Sequence, residues 1–341
     1  MKLNKLKSGL IVGGGTGKEL GDVFEYVSKE LAERSGYKTD IVKFEYSPKT
    51  YFELRKMNLS PEEVIDLEQK ESDDIARFIK DIHKHGYDST FRTAINAGTL
   101  YQLRKKLETI KSMPIKTPER NILLIRDELQ GFYALDDKKE DENEIKFSCS
   151  YSKDKTEKIV RAALKEAEKY LKNYNALMTY KYHLFKNFDN WVEEINKNDK
   201  KIFLCQPDTG FKKLTESDND TLVIASNESG DFLTAVLPKY YGIGNQNTTF
   251  SKDISLHPEA EGHEIYQTIH GSADDIAGKG IVNPFATLRA TADIIENHGI
   301  EIYEKMERAL RKAEREGFVT SDMKGNKKTS EVVDYILRNL G

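Results

Sequence analysis

The stretch His270-Gly271-Ser272-Ala273-Asp274-Asp275-Ile276-Ala277-Gly278-Lys279-Gly280-Ile281-Val282-Asn283-Pro284 decides the reading of this chain. It sets a histidine, two small residues, acids and glycines in a loop, which ends where Phe285, Leu288, Ala292 and Ile295 begin a helical apolar period. A loop that opens a helix turns backbone N–H groups towards an anion, so the layout suits an adenine nucleotide lying over loop and helix start. Composition alone equally describes an ordinary turn, because Gly and Asp are common turn residues.

The 341 residues are enough for a large core and about two domains. With 32% charged and 38% hydrophobic residues the composition is that of a globular protein. A net charge of -4 gives no clustered basic face for a polyanion, which argues against a nucleic-acid partner. The lysine-containing run Asn196-Lys197-Asn198-Asp199-Lys200-Lys201 reads as a solvated loop. No apolar run is long enough to cross a membrane, and Met1 to Lys7 lacks a secretory core, so a cytoplasmic protein is expected. Cys149 and Cys205 are too few and too isolated for a disulfide framework or a zinc site; both are expected to be reduced, buried thiols.

Leu10-Ile11-Val12, Ile122-Leu123-Leu124-Ile125, Ile202-Phe203-Leu204 and Leu222-Val223-Ile224-Ala225 read as short buried strands. Between them, Val23, Phe24, Val27 and Leu31, and again Ile159, Ala163, Ala167 and Leu171, repeat at helical spacing. Strands alternating with helices predict an α/β fold with a substantial parallel sheet. The charged run from Asp136 to Glu144 predicts an exposed hairpin or loop, and no internal repeat is visible.

Several residues have the chemistry of a site, each with an ordinary structural alternative. Gly13-Gly14-Gly15-Thr16-Gly17 runs from strand into helix and suits either close backbone approach to a ligand or a simple turn. Arg104 and Arg126 could hold carboxylates bidentately, or form surface ion pairs. Lys181, among Thr179, Tyr180, Tyr182 and Leu184, could be desolvated into a proton carrier, or simply reach water. Asp208 and Asp231 offer the hard oxygens that Mg²⁺ or Mn²⁺ takes, or serve as turn and cap residues.

Taken together these motifs resemble the isocitrate and 3-isopropylmalate dehydrogenases, the β-decarboxylating dehydrogenases. The 270–284 stretch resembles that family's nucleotide signature. Arg104 and Arg126 sit in contexts similar to its Leu-Arg-Lys and Val-Arg-Glu motifs, and Tyr133 follows Arg126 by seven residues, at the place of the family's catalytic tyrosine. The likeness is strongest from Leu222 to Asn297 and weakest between Tyr51 and Leu100. It implies the isopropylmalate dehydrogenase-like fold: two α/β domains, a discontinuous nucleotide-binding domain of residues 1–98 and 248–341 and a central substrate and dimerisation domain of residues 99–247, with the active cleft between them.

The resemblance further implies oxidative decarboxylation of a 2-hydroxy acid bearing a 3-carboxylate, with NAD and a Mg²⁺ or Mn²⁺ ion. Catalysis would fall to Tyr133 and Lys181, substrate binding to Arg104 and Arg126, and metal binding to Asp208 and Asp231. His270, Gly271, Ser272, Ala273, Asp275, Ile276 and Asn283 would bind the cofactor. A carboxylate at Asp275 accepts ribose hydroxyls and repels a 2′-phosphate, which favours NAD over NADP. A homodimer is implied, each site borrowing the lysine and one aspartate from the other subunit.

Departures from the pattern are specific. Gly14 and Lys18 replace the Asp and Pro of the amino-terminal loop, Met113 stands where a second substrate arginine would be, and Tyr182 and His183 follow Lys181 in place of a small residue and Asn. Ala235 stands one helical turn after Asp231, where a third metal acid is expected. These leave open a catalytically silent or regulatory paralogue that binds nucleotide or carboxylate, and an enzyme of the same fold acting on an unusual malate-like substrate.

Overall fold

The computed structural model describes residues 5–117, 119–134, 137–141, 143–197, 202–243 and 248–340; at 137, 138, 140 and 184 only the backbone is described. In chain order the first part runs β1 (Lys5–Ile11), α1 (Gly17–Arg34), β2 (Lys38–Lys43), α2 (Tyr51–Lys56), α3 (Pro61–Lys84), β3 (Ser89–Arg92) and α4 (Ala97–Leu107). The middle runs β4 (Thr109–Lys116), β5 (Asn121–Asp127), β6 (Asp137–Glu140), β7 (Ile145–Ser148), α5 (Lys153–Tyr170), β8 (Asn175–Thr179), α6 (Phe188–Asn196), β9 (Ile202–Cys205), α7 (Pro207–Thr215), β10 (Thr221–Ala225) and α8 (Asn227–Tyr240). The last part runs β11 (Phe250–Ser255), β12 (Glu264–Thr268), α9 (Phe285–Glu296), α10 (Tyr303–Arg315) and α11 (Thr329–Arg338).

Two compact units emerge. The first comprises residues 1–106, 244–252 and 259–341, and the second residues 107–243 and 253–258, so β11 contributes residues to both. In the first unit the strands lie in the order β2-β1-β3-β12, all paired in parallel. Helix α1 buries Leu20, Val23, Phe24, Val27 and Leu31, the apolar spacing seen in the sequence. Phe24 stacks on Phe91 at 4.7 Å, within a core shared with Leu288, Ile295, Met306 and Ile336.

The second unit orders its strands β4-β5-β10-β8-β9, parallel except where β4 runs antiparallel to β5. Strand β10 is buried throughout, which explains why it reads as unbroken apolar sequence: both its neighbours and both its faces are covered. Ser152 caps α5 by accepting the Lys155 amide, a contact that contributes about 1 kcal/mol. Helix α5 then buries Ile159, Val160, Ala163 and Ala167.

The expected hairpin is present as the antiparallel pair β6–β7, although residues 136 and 142 lie outside the described ones. Residues 198–201 of the lysine run do so too. One expectation is corrected. Cys205 is buried, with its thiol pushed up to about 11 by desolvation, whereas Cys149 follows the exposed strand β7 and is itself exposed; neither is in a disulfide. Among the described residues no helix is long and apolar enough to cross a membrane.

Candidate active site

In the first unit the decisive loop is held by backbone. The Ser272 carbonyl accepts both the Thr16 amide (2.9 Å) and the Thr16 hydroxyl (3.0 Å), tying the 270–284 stretch to the glycine loop that opens α1. Gly15 makes the contact possible. Its φ is +60°, and a Cβ there would lie 2.3 Å from the Ser272 carbonyl oxygen. Further along, the Gly280 amide donates to Glu19, and the Gly280 and Val282 carbonyls accept the Thr329 amide and hydroxyl. Asn283 is buried. Its oxygen accepts the Phe285 amide at the start of α9 and its nitrogen donates to Asp322, so it fixes where the helix begins.

His270 is partly buried, and desolvation pushes its imidazole below the ordinary value. The ring Nδ1 lies 2.8 Å from the Gly271 carbonyl, which can only accept, so Nδ1 carries the proton. Nε2 is then a buried acceptor without a partner. An orphaned acceptor of this kind fits the exocyclic amine of an adenine. Gly271 and Asp275 are exposed, Ile276 is half-buried, and Ala273 takes a positive φ of 45° that shapes the loop.

In the second unit the chemistry is carried by side chains. Arg126 lies near the end of β5, buried, and its guanidinium spans two partners: Nε and Nη2 reach the Asn227 oxygen at 3.2 and 2.9 Å, and Nη1 pairs with Asp231. The Tyr133 ring sits 5.0 Å from the guanidinium carbon, and its hydroxyl donates to the other Asp231 oxygen at 3.4 Å. Gly230 lets α8 come this close, since a Cβ there would meet the Arg126 side chain at 2.7 Å. Arg126, Tyr133 and Asp231 are thus brought together. Neither arginine is a surface residue: Arg126, though ion-paired with Asp231, is only 3% exposed and Arg104 6%, and Arg104 lies on α4 of the first unit with its guanidinium 5.8 Å from the Tyr101 ring.

Lys181 and Asp208 also belong to the second unit. Lys181 follows β8 and opens a 3-10 turn at Tyr182–Leu184; it is exposed in one chain, as the alternative in which it simply reaches water expects. Tyr180 takes up the buried position instead. Asp208 is exposed in the first turn of α7, and Gln206 and Ser226, not the two aspartates, hold the cap positions of α7 and α8. Strands β9 and β10 flank β8, so the strand ends that lead to Asp208 and Asp231 are about 10 Å apart. Among the described residues no three His, Cys, Asp or Glu side chains form a metal-holding group. Ala235 is exposed one turn beyond Asp231, and Met113 is 1% exposed on β4, so the missing arginine has become a core residue.

The sequence reading did not single out Asn227, the anchor of Arg126, or Asp127 and Tyr180, a buried pair joined at 2.9 Å. The only available signal was their place, each within four residues of one already chosen.

Comparison with known proteins bears on the family and the fold. The family model described as isocitrate/isopropylmalate dehydrogenase matches residues 9–336. A 3-isopropylmalate dehydrogenase of Staphylococcus saprophyticus is 28% identical over 231 residues, a match spanning 64% of this chain and 64% of that protein. A D-malate dehydrogenase [decarboxylating] of Escherichia coli is 36% identical over 124 residues, 34% of this chain and 33% of that one. Among solved structures, isocitrate dehydrogenase from Methylococcus capsulatus superposes with a TM-score of 0.70 at 21% identity, covering 98% of this chain and 99% of that one. A β-decarboxylating dehydrogenase from Thermococcus kodakarensis gives a TM-score of 0.69 at 18% identity, covering 98% of this chain and 96% of the other. The expected fold is therefore the observed one, and the chain belongs to the isocitrate/isopropylmalate dehydrogenase family.

Proposed function

We propose that the protein is an NAD-dependent, metal-assisted dehydrogenase that oxidises and decarboxylates a 2-hydroxy acid bearing a 3-carboxylate. The observation that carries this reading is the Arg126–Asp231–Tyr133 cluster, which puts a carboxylate-binding cation, an acid and a phenol within one side-chain length of each other.

Arg126, with Arg104 of the first unit, would grip substrate carboxylates, and the binding energy would orient the C2–H bond. Both arginines are themselves buried, which reduces the entropy lost on binding. Lys181 would accept the proton of the 2-hydroxyl, and Tyr133 would return one to carbon after CO₂ leaves. His270, Gly271, Ser272, Ala273, Asp275, Ile276 and Asn283 would form the NAD site, where NAD would supply the hydride acceptor. The His270 Nε2 acceptor and the Asp275 carboxylate support adenine and an unphosphorylated ribose.

The reading includes a homodimer in which Asp231 meets Asp208 of the partner subunit. Mg²⁺ or Mn²⁺ held there would supply Lewis acidity at a substrate oxygen. The exposure of Lys181 and Asp208 in one chain fits groups that serve a neighbouring copy.

A second reading, a silent or regulatory paralogue, is favoured by Ala235 and by the burial of Met113. Incubation with NAD, Mn²⁺ and a panel of 3-substituted malates, followed by NADH absorbance, separates the two. Turnover of one of them supports the enzyme; NAD binding without turnover of any supports the paralogue.

A further inference from the structure

Asp127 and Tyr180 lie outside the proposed chemistry, yet each is the chain neighbour of a residue inside it: Asp127 follows Arg126, and Tyr180 precedes Lys181. Asp127 is completely buried in the second unit. Its Oδ1 accepts the Leu129 and Gln130 amides at 2.9 and 3.1 Å, and its Oδ2 accepts the Gln130 side-chain amide at 3.1 Å and the Tyr180 hydroxyl at 2.9 Å. A buried carboxylate costs several kcal/mol unless its lone pairs are met in this way, and an apolar residue would fill the space without that cost.

The bonds continue in both directions. The Gln130 carbonyl accepts the Asn227 amide at 3.1 Å, and the Asn227 oxygen holds the Arg126 guanidinium. On the other side the Tyr180 ring is fixed against Phe188 at 5.1 Å and its backbone amide donates to the Cys205 carbonyl at 3.1 Å, so the start of the Lys181 turn has little freedom. One unbroken run of hydrogen bonds therefore links the anchor of Arg126 to the residue that sets Lys181.

We infer that Asp127 and Tyr180 are positioning residues: one buried element sets both Arg126, which grips substrate in its own chain's site, and Lys181, which accepts the proton in the site it shares with the partner subunit. The inference rests on the dehydrogenase reading. Tyr180→Phe removes only the Lys181 side of the link; Asp127→Asn turns a donor towards the Gln130 amide and disturbs both sides.

The test compares wild type, Tyr180→Phe, Asp127→Asn and a core control, Ile159→Val, in steady-state kinetics, with a parallel measurement that needs no substrate: the ¹³C resonance of reductively methylated Lys181, assigned by its loss in Lys181→Met. Tyr180→Phe is expected to lower kcat about tenfold with KM within about twofold, and Asp127→Asn to lower kcat and raise KM, while Ile159→Val changes Tm only. The Lys181 resonance is expected to move in Tyr180→Phe and to stay in the control. If wild type turns over no substrate, the dehydrogenase reading fails and the resonance alone decides the positioning claim. If Asp127→Asn does not fold, Tyr180→Phe decides it. Unchanged kcat and an unmoved resonance in Tyr180→Phe overturn the inference.

Discussion

Two regions, one in each unit, are built by opposite means. The 270–284 loop of the first unit is fixed through backbone atoms: Thr16 bonds a carbonyl, Gly15 avoids a Cβ, and Thr329 bonds two further carbonyls. The cluster of the second unit is fixed through side chains, with Arg126, Asn227, Asp231 and Tyr133 each depending on the functional group of another. A backbone-built loop tolerates changes of side chain but not of chain geometry. A side-chain cluster has the reverse tolerance.

The largest break in this contrast is expected from Lys181→Met. A proton-transfer group contributes about 10²–10⁴-fold, so kcat should fall by that order while NAD affinity, read by calorimetry, stays as in wild type. Next comes Arg126→Lys, which keeps charge but cannot bond Asn227 and Asp231 at once. KM for the hydroxy acid should rise about tenfold with NAD affinity unchanged. Gly15→Val attacks the other region: its Cβ meets the Ser272 carbonyl at a positive φ, so about 2–3 kcal/mol of stability and most NAD binding should be lost in urea and calorimetric titrations.

A smaller effect sharpens the view of the buried hub. Burial raises the Asp127 carboxyl from 3.8 to about 6. The folded state therefore holds this proton more tightly than the unfolded chain, and the stability it contributes is present below pH 3.8 and lost as pH rises through 6. Between pH 7 and pH 4.5 wild type should gain about 2 kcal/mol relative to Asp127→Asn in paired urea titrations. The smallest effect is expected of Ser272→Ala. The atom that Thr16 uses is the carbonyl, so Tm should move by no more than about 2 °C.

Much of the fold could be read from the sequence because apolar spacing reports burial directly. The unbroken run at Leu222 to Ala225 became the fully buried β10, and the period at Phe285, Leu288, Ala292 and Ile295 became α9. In the candidate site Arg126 and Asp231 stood out because their residue types carry their own chemistry, and Tyr133 only through the family resemblance. Asp127 and Tyr180 were not, because their roles come from β5 and β8 lying on either side of β10, a long-range fact that no local spacing encodes. The exposure of Cys149 escaped for the same reason.

The claim on which the account depends is that two copies complete one site. It is tested most directly by mixing Lys181→Met with Asp231→Asn under conditions of subunit exchange, with hybrid formation followed by native mass spectrometry. Each hybrid would pair the intact Lys181 of one chain with the intact Asp231 of the other in one of its two sites, so the mixture should recover roughly a quarter of wild-type NADH formation. Hybrids that form fully but stay as inactive as either parent would contradict the account.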